Sequence, residues 1–317
     1  VTDLQTELSK ELASVGLLPM FGFPTRVRPV YRKPARKMAD LQSAVLTDRP
    51  LDLAISAFTP GSKIVKDGEV RTVIGFAAYS MASGKIAPVD PLGRPRLVTR
   101  CEECGATNLD EELPSCTVCG ETTTTVTMYE PAGWRTDYAA ATDFDDDFDI
   151  MESVAPPAVG VAENPTISFS SGAVKVDAYA QAKLVTLNDN SGRLFDLRRR
   201  LDKSVVVANT DLYDDIDESN LVGERIAHAA IGAIRTTDIV TISFSKPKTV
   251  THQLPADGKR MPSAQSAFLS FGEAIRRACQ IELDIDPDEI IAGLQPATIN
   301  GIPSFRIFLA DRLENGA

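Results

Sequence analysis

The pattern of apolar and polar positions opens with helical spacing. Leu4, Leu8, Leu12 and Val15 follow a capping residue at Thr2 or Asp3, and Gly16 stands where a left-handed stop is wanted, which predicts a first helix. Two prolines and a glycine then exclude helix between Leu17 and Arg28, so that stretch is predicted to be extended and mostly buried. Residues 51–58 and 70–79 read as strands, separated by Thr59-Pro60-Gly61-Ser62 and the turn Lys66-Asp67-Gly68. Thr122 to Tyr129 is a β-branched run and a further strand. Val174, Val176, Ala178, Ala180, Ala182 and Leu184 alternate with polar neighbours, the period of a long strand with one buried face, which ends in the turn Asn188-Asp189-Asn190-Ser191-Gly192.

Later segments are mixed. Glu224 to Ile234 fits either helix or strand, and Ile239 to Ser245 reads as a strand. Ser263 or Ser266 caps a helix with Ala267, Phe268, Phe271, Ala274, Ile275 and Ala278 along one face. Asp286-Pro287-Asp288-Glu289 starts a short helix with proline at its first position. Asn300-Gly301 is a hairpin turn leading into the strand Phe305 to Leu309. Together these elements predict an α+β fold of mixed or antiparallel sheets with a few helices. The expected organisation is an N-terminal α+β region over 1–140, an acidic and proline-containing linker over 141–165, and a C-terminal α+β region over 166–317. Because the chain begins at Val1 and stops just past a strand-like run, at Glu314-Asn315-Gly316-Ala317, it reads as a piece of something longer, with the last region cut short.

Length and composition agree with that plan. A chain of 317 residues, 43% hydrophobic, can bury a large core. No apolar run approaches the roughly 18 residues that a membrane-spanning helix needs. The net charge of -11 argues against a surface coated for nucleic acid, but the charge is unevenly spread. Arg26, Arg28, Arg32, Lys33, Arg36 and Lys37 fall between Pro24 and Lys37 with no acidic residue among them, whereas Asp145-Asp146-Asp147 and Asp211 to Glu218 are strongly acidic. The basic stripe is either a contact for phosphates or a solvated loop.

The cysteines carry the clearest chemistry. Cys101-Glu-Glu-Cys104-Gly105 and Cys116-Thr-Val-Cys119-Gly120 form two matched knuckles, C-x2-C, x11, C-x2-C. Two residues between paired cysteines let both thiolates reach one ion, and four soft sulfur ligands favour zinc. The predicted unit is a zinc ribbon, about 97–128, inserted into a sheet. Two disulfides are the competing reading, but no signal peptide opens the chain and Cys279 stands alone in an apolar helix pattern as a core residue, so a reducing, cytoplasmic setting is expected. Four thiolates close the coordination sphere, so the Zn(2+) is structural.

Other chemistry is sparse. Met81-Ala82-Ser83-Gly84-Lys85-Ile86 lacks the first glycine and the hydroxyl of a phosphate loop. His228 and His252 belong to no metal-ligand pattern, and no serine nucleophile motif is present. Asp189, Asp238, Asp311 and Glu314 end strands or occupy turns and are the least implausible carboxylates for a two-metal nuclease, although turn and surface roles suit them better. No catalytic core is evident, so whether the chain is itself an enzyme stays open.

Several runs together resemble one family. They are Gly16-Leu-Leu-Pro-Met-Phe-Gly-Phe-Pro-Thr-Arg-Val-Arg28, Phe58-Thr-Pro-Gly-Ser-Lys-Ile-Val-Lys-Asp-Gly68, the cysteine knuckles, Asn188-Asp-Asn-Ser-Gly-Arg-Leu-Phe195, Arg235-Thr-Thr-Asp238 and Leu309-Ala-Asp-Arg-Leu-Glu-Asn-Gly-Ala317. The chain from Gly16 to Ala317 resembles the cysteine-containing domain C-terminal to the motor in large bacterial DEAD/DEAH-box helicases. Related domains occur in MrfA-type repair helicases and in a helicase-associated component of DISARM phage defence. The resemblance implies zinc at Cys101, Cys104, Cys116 and Cys119, and an ATP-hydrolysing motor in the same polypeptide or a partner. It also implies DNA, as a single strand or fork, as the substrate of that motor. Three readings result: an accessory domain of a DNA helicase that contributes strand contact or motor coupling, a scaffold that docks a helicase subunit without touching nucleic acid, and a carboxylate enzyme.

Overall fold

Between Ala229 and Arg235 every residue is buried, and small apolar side chains there let neighbouring strands approach from both sides. This run lies inside one strand of 24 residues, which organises the rest of the chain. The computed structural model describes residues 27–82, 85–138, 142–143, 157–159, 164–208, 220–244, 262–286 and 289–312.

In chain order the first elements are β1 (Val27–Tyr31), α1 (Met38–Ala44), β2 (Val45–Pro50), α2 (Leu51–Ala57), β3 (Lys63–Lys66) and β4 (Glu69–Phe76). The hairpin β5 (Ala78–Ala82) and β6 (Lys85–Val89) follows, then β7 (Arg96–Cys101), β8 (Thr107–Leu109), β9 (Thr123–Tyr129) and β10 (Trp134–Thr136). Next come β11 (Thr142–Asp143), β12 (Pro157–Val159), β13 (Ile167–Ser171), β14 (Val174–Asn188), β15 (Phe195–Arg200) and β16 (Val205–Val207). The last are β17 (Leu221–Phe244), α3 (Pro262–Leu283), β18 (Ile290–Ile299) and β19 (Ile302–Asp311).

The expected α+β class is overturned. Nineteen strands stand against three helices among the described residues, and seventeen of the strands join one mixed sheet, so the fold is mostly β. The ambiguous stretch Glu224 to Ile234 is strand: β15 and β14 pair along one edge, and from Ala229 on, where β9 pairs with the other edge as far as Ile231, every residue is buried, which removes the two-residue alternation that would have marked it. Ala229 pairs with Phe195 of β15 and Thr127 of β9; Ile231 pairs with Asn188 of β14 and Tyr129 of β9. β14 and β15 therefore run in succession along one edge of β17, while β9, in parallel, and β19, antiparallel, run along the other. Within the stretch expected to be a linker, the described residues of β11 and β12 pair with β4 and β14.

Residues 51–58 are a second correction, being helical rather than extended. Leu51, Leu53, Ile55 and Ala57 alternate like a strand, yet the residues buried are Leu51, Ala54, Ile55 and Phe58, a helical stripe, and Leu53 is exposed. That stripe packs on the main core with Val73, Phe76, Phe195, Leu197, Ile231 and Trp134, whose ring meets Phe58 at 5.8 Å and Phe76 at 5.9 Å between centroids. In α3 the buried side is rotated from expectation. Phe268 and Gly272 face the sheet, at Phe305 and Ile307, and Cys279 is half-buried, while Ala267, Phe271, Ala274 and Ala278 are exposed. The helix starts at Pro262, so neither serine stands at its N-cap. The strands expected at Thr122–Tyr129, Val174–Leu184 and Phe305–Leu309 are present, as is the Asn300-Gly301 turn, with φ of 53° and 78°. The predicted helix at 4–15 lies outside the described residues.

Two polar clamps hold these layers. Asn188, buried at the end of β14, donates from Nδ2 to the Ile55 carbonyl at 2.8 Å and to Thr59 Oγ1 at 2.7 Å, tying the long sheet to the end of α2. On β14, Asp177 accepts from Ser168 Oγ at 2.6 Å and pairs with Lys175 at 2.8 Å. Burial raises the Asp177 carboxyl, but donation from Lys175 and Ser168 outweighs it, and the group titrates below its ordinary value.

Asn188→Ala strips a donor from buried acceptors and lowers the unfolding free energy by about 2 kcal/mol in urea titrations. A change within about 0.5 kcal/mol, the range of neutral surface substitutions, would show that the clamp contributes nothing. The stabilisation from Asp177 is present above the ordinary carboxylate range and is lost as pH falls through its lowered folded value. Asp177→Asn accordingly flattens the acid limb of a melting-temperature versus pH curve, and an unchanged limb contradicts the assignment.

Candidate metal centre

The ribbon is built from β7, β8 and β9. β7 lies between the other two, antiparallel to both, and β9 joins the ribbon to the main sheet through its parallel pairing with β17. Buried Thr99 on β7 donates to the Glu111 carbonyl at 2.6 Å and lies 2.7 Å from Thr125 Oγ1, closing the ribbon from within. Arg96 grips the Asp110 carboxylate with two nitrogens, its Nε at 2.7 Å, and this contact first of all holds Asp110 below the usual carboxylate range.

The two knuckles repeat one geometry. The Gly105 N–H donates to the Cys101 carbonyl and the Gly120 N–H to the Cys116 carbonyl, each at 2.9 Å. Both glycines have positive φ, 79° and 82°, the conformation that a side chain would strain. The Cys101 N–H donates to the Ala106 carbonyl and the Cys116 N–H to the Glu121 carbonyl. Amide hydrogens also point at sulfur, from Ala106 to Cys104 and from Val118 to Cys116, each at 3.4 Å.

This folding brings all four sulfurs within 4.8 Å of one another. Cys101 and Cys119 approach to 3.5 Å, as do Cys104 and Cys116, so the close pairs run between knuckles. Disulfide sulfurs sit about 2.0 Å apart, and the cysteines are free, which removes the disulfide reading. Four sulfurs at about 2.3 Å from one tetrahedral ion stand roughly 3.8 Å apart, so the observed spacing suits a shared metal. With protons in place of a cation, burial pushes the Cys104 thiol far above its ordinary value and that of Cys119 up to about 11. A cation at the centre removes that conflict between burial and charge. Among the described residues no other group of three or more cysteine, histidine or carboxylate side chains lies close enough to share an ion.

Comparison with known proteins adds little. No protein-family model and no curated protein matches the chain. A crystal structure of the DUF1998 helicase MrfA bound to DNA superposes on 92% of this chain and 26% of that one, at 6% sequence identity and a TM-score of 0.39. The chain thus spans about a quarter of that helicase's length, and a superposition this loose assigns neither fold nor activity.

The other candidate residues scatter. Arg28 Nε donates to the Pro131 carbonyl at 3.0 Å and Arg32 Nε to the Ser43 carbonyl at 2.9 Å, so both are half-buried parts of the framework. Lys33, Arg36 and Lys37 are exposed on the loop between β1 and α1. Arg26, Glu314 and His252 lie outside the described residues. Asp189 sits in its turn, accepting from the Gly192 N–H at 3.1 Å and facing Arg100 at 3.6 Å, while Asp238 accepts from the Gln181 N–H at 3.0 Å. His228 is exposed, with its backbone N–H on Asp196. What sequence reasoning missed is the acidity of the ribbon, where Glu102, Asp110, Glu111, Glu112 and Glu121 are all exposed. Among the described residues no helix is long and apolar enough to cross a membrane.

Freshly isolated protein is expected to contain about one metal ion per chain, and Cys104→Ser to contain about none. Chelation should release amide protection across residues 97–128, read by hydrogen exchange, because so short a ribbon has too little core of its own. Unchanged protection after quantitative chelation would remove the metal from the fold.

Proposed function

We propose that this chain is a non-catalytic zinc-binding accessory domain that works with an ATP-dependent DNA helicase motor, contributing strand contact or coupling to the motor. The observation that carries the reading is the four-sulfur centre, built on a ribbon zipped into the main sheet. Its ligands are all protein sulfurs, which leaves the ion no open position for water or substrate, so Cys101, Cys104, Cys116 and Cys119 would hold Zn(2+) for rigidity alone. The sequence resemblance supplies the motor and DNA, and its setting in repair or phage defence belongs to the same proposal, as does a cytoplasmic location.

Strand contact falls to the exposed cations of the basic loop, Lys33, Arg36 and Lys37, with Arg26 as a further candidate from the sequence. Arg28 and Arg32 anchor that loop through their carbonyl bonds. The ribbon's exposed carboxylates repel phosphate, which favours a second role for that end of the molecule as a docking surface for a basic partner, the motor included.

Fluorescence anisotropy with labelled oligo(dT) tests the strand contact. Binding at low salt should weaken as salt rises, and Lys33→Ala, Arg36→Ala and Lys37→Ala combined should flatten the dependence of log K on log salt by about 2. Affinity and slope unaffected by the triple substitution would reject the surface, and no binding at low salt together with stable co-purification with a motor would leave the docking role alone.

A further inference from the structure

The hairpin β5–β6 stands apart from the large sheet, since its strands pair only with each other among the described residues. A two-stranded hairpin is marginal in water unless one face is packed. Here Tyr79 and Ile86 pack into a cluster with Tyr31, Ala35, Leu41 and Ala44, which belong to β1, the basic loop and α1. Tyr31 and Tyr79 meet edge to face, with centroids 4.8 Å apart. The hairpin is therefore seated beside the loop that carries Lys33, Arg36 and Lys37.

Its register says which way the far end looks. Met81 pairs with Ile86 and stands two residues from Tyr79, so all three side chains share one face, the face packed toward the loop. Tyr79 and Ile86 are half-buried, whereas Met81, nearer the tip, is 55% exposed. Lys85, opposite Ala82, is also exposed. The hairpin face that packs on the loop region thus ends in an exposed, polarisable apolar side chain, and the loop itself displays three exposed cations. That is the composition of a single-strand site: cations track the phosphates while an apolar surface takes a base face.

We infer that the β5–β6 hairpin and the basic loop form one single-stranded nucleic-acid site, in which Lys33, Arg36 and Lys37 hold phosphates and Met81 packs on an unpaired base. This rests on the strand-binding role proposed above and assigns it a second element. A duplex keeps its bases stacked inside, so the Met81 contact makes the site selective for unpaired strands. An acidic protein segment would satisfy the cations but leave Met81 without a planar partner.

The test uses the whole chain, labelled oligo(dT) and the exposed-site variant Met81→Ser. This substitution removes no charge, so affinity should fall about tenfold, the scale of one lost base contact, while the salt slope stays at the parental value. The loop triple variant should do the reverse and flatten the slope. Unlabelled oligo(dT) should compete better than a duplex of equal length and better than polyglutamate. If the loop variant loses affinity and Met81→Ser binds as the parent does, the hairpin has no part in binding and the strand-contact proposal survives without it. Equal competition by duplex overturns the base contact, and equal competition by polyglutamate replaces the strand with an acidic protein partner. Absence of oligo(dT) binding by the parent at low salt overturns both the site and the strand-contact proposal.

Discussion

The architecture depends on the doubly paired strand β17. At about 3.3 Å per residue, 24 residues reach roughly 80 Å, so one strand can serve several neighbours in succession along each edge. β14 and β15 take one edge, and β9 and β19 the other, which fastens the ribbon, the main core and the C-terminal hairpin to a single backbone ladder. The crowding this creates is visible at Gly232. A Cβ there would stand 2.3 Å from the Met128 sulfur and 2.8 Å from the Thr186 carbonyl, so the ribbon strand and β14 close on that position only because it has no side chain. The four-cysteine cluster inherits its orientation from this attachment, because β9 both belongs to the ribbon and lies in the sheet.

The runs that suggested a family are mostly places where the fold is clamped. Asn188 reaches back to Ile55 and Thr59, so the turn after β14 and the segment after α2 are one joint. Arg235 donates to the Arg312 carbonyl and approaches Asp52 at 3.6 Å, Thr237 donates to the Asp311 carbonyl at 3.0 Å, and Asp238 caps the bulge at Gln181. Residues far apart in sequence are thus held together by polar side chains at strand irregularities, and those side chains serve architecture rather than chemistry.

How much of this was legible varied with the physical cue. The knuckles were, because the C-x2-C spacing and the glycine after each pair fix a local geometry that needs no tertiary context. The strand Val174 to Asn188 was legible as a strand, but its buried face was not: Asp177 and Tyr179 are buried before the bulge at Gln181 and Ala182, Leu184 and Val185 after it, while Ala180 is exposed. Residues 51–58 were misread because Leu51, Ile55 and neighbours satisfy both periods, and only the core around Trp134 selects the helical one. The α+β expectation failed where Ala229 to Arg235 is enclosed on every side, a setting that erases periodicity. The basic stripe was half legible: charge could be counted from the sequence, but the use of Arg28 and Arg32 as carbonyl donors depends on partners at Pro131 and Ser43.

The lateness of β17 along the chain bears on biosynthesis. Thr127, Met128 and Tyr129 find their parallel partners about a hundred residues downstream, at Ala229, Ala230 and Ile231. As the polypeptide leaves the ribosome, the cysteine knuckles can close on an ion while the outer edge of β9 still has nothing beside it. Contacts of such separation are slow to form and expose strand edges in the interval. Capture of the proposed ion at that stage would keep the ribbon ordered until its long partner emerges, a role in maturation beside the rigidity proposed for the folded domain.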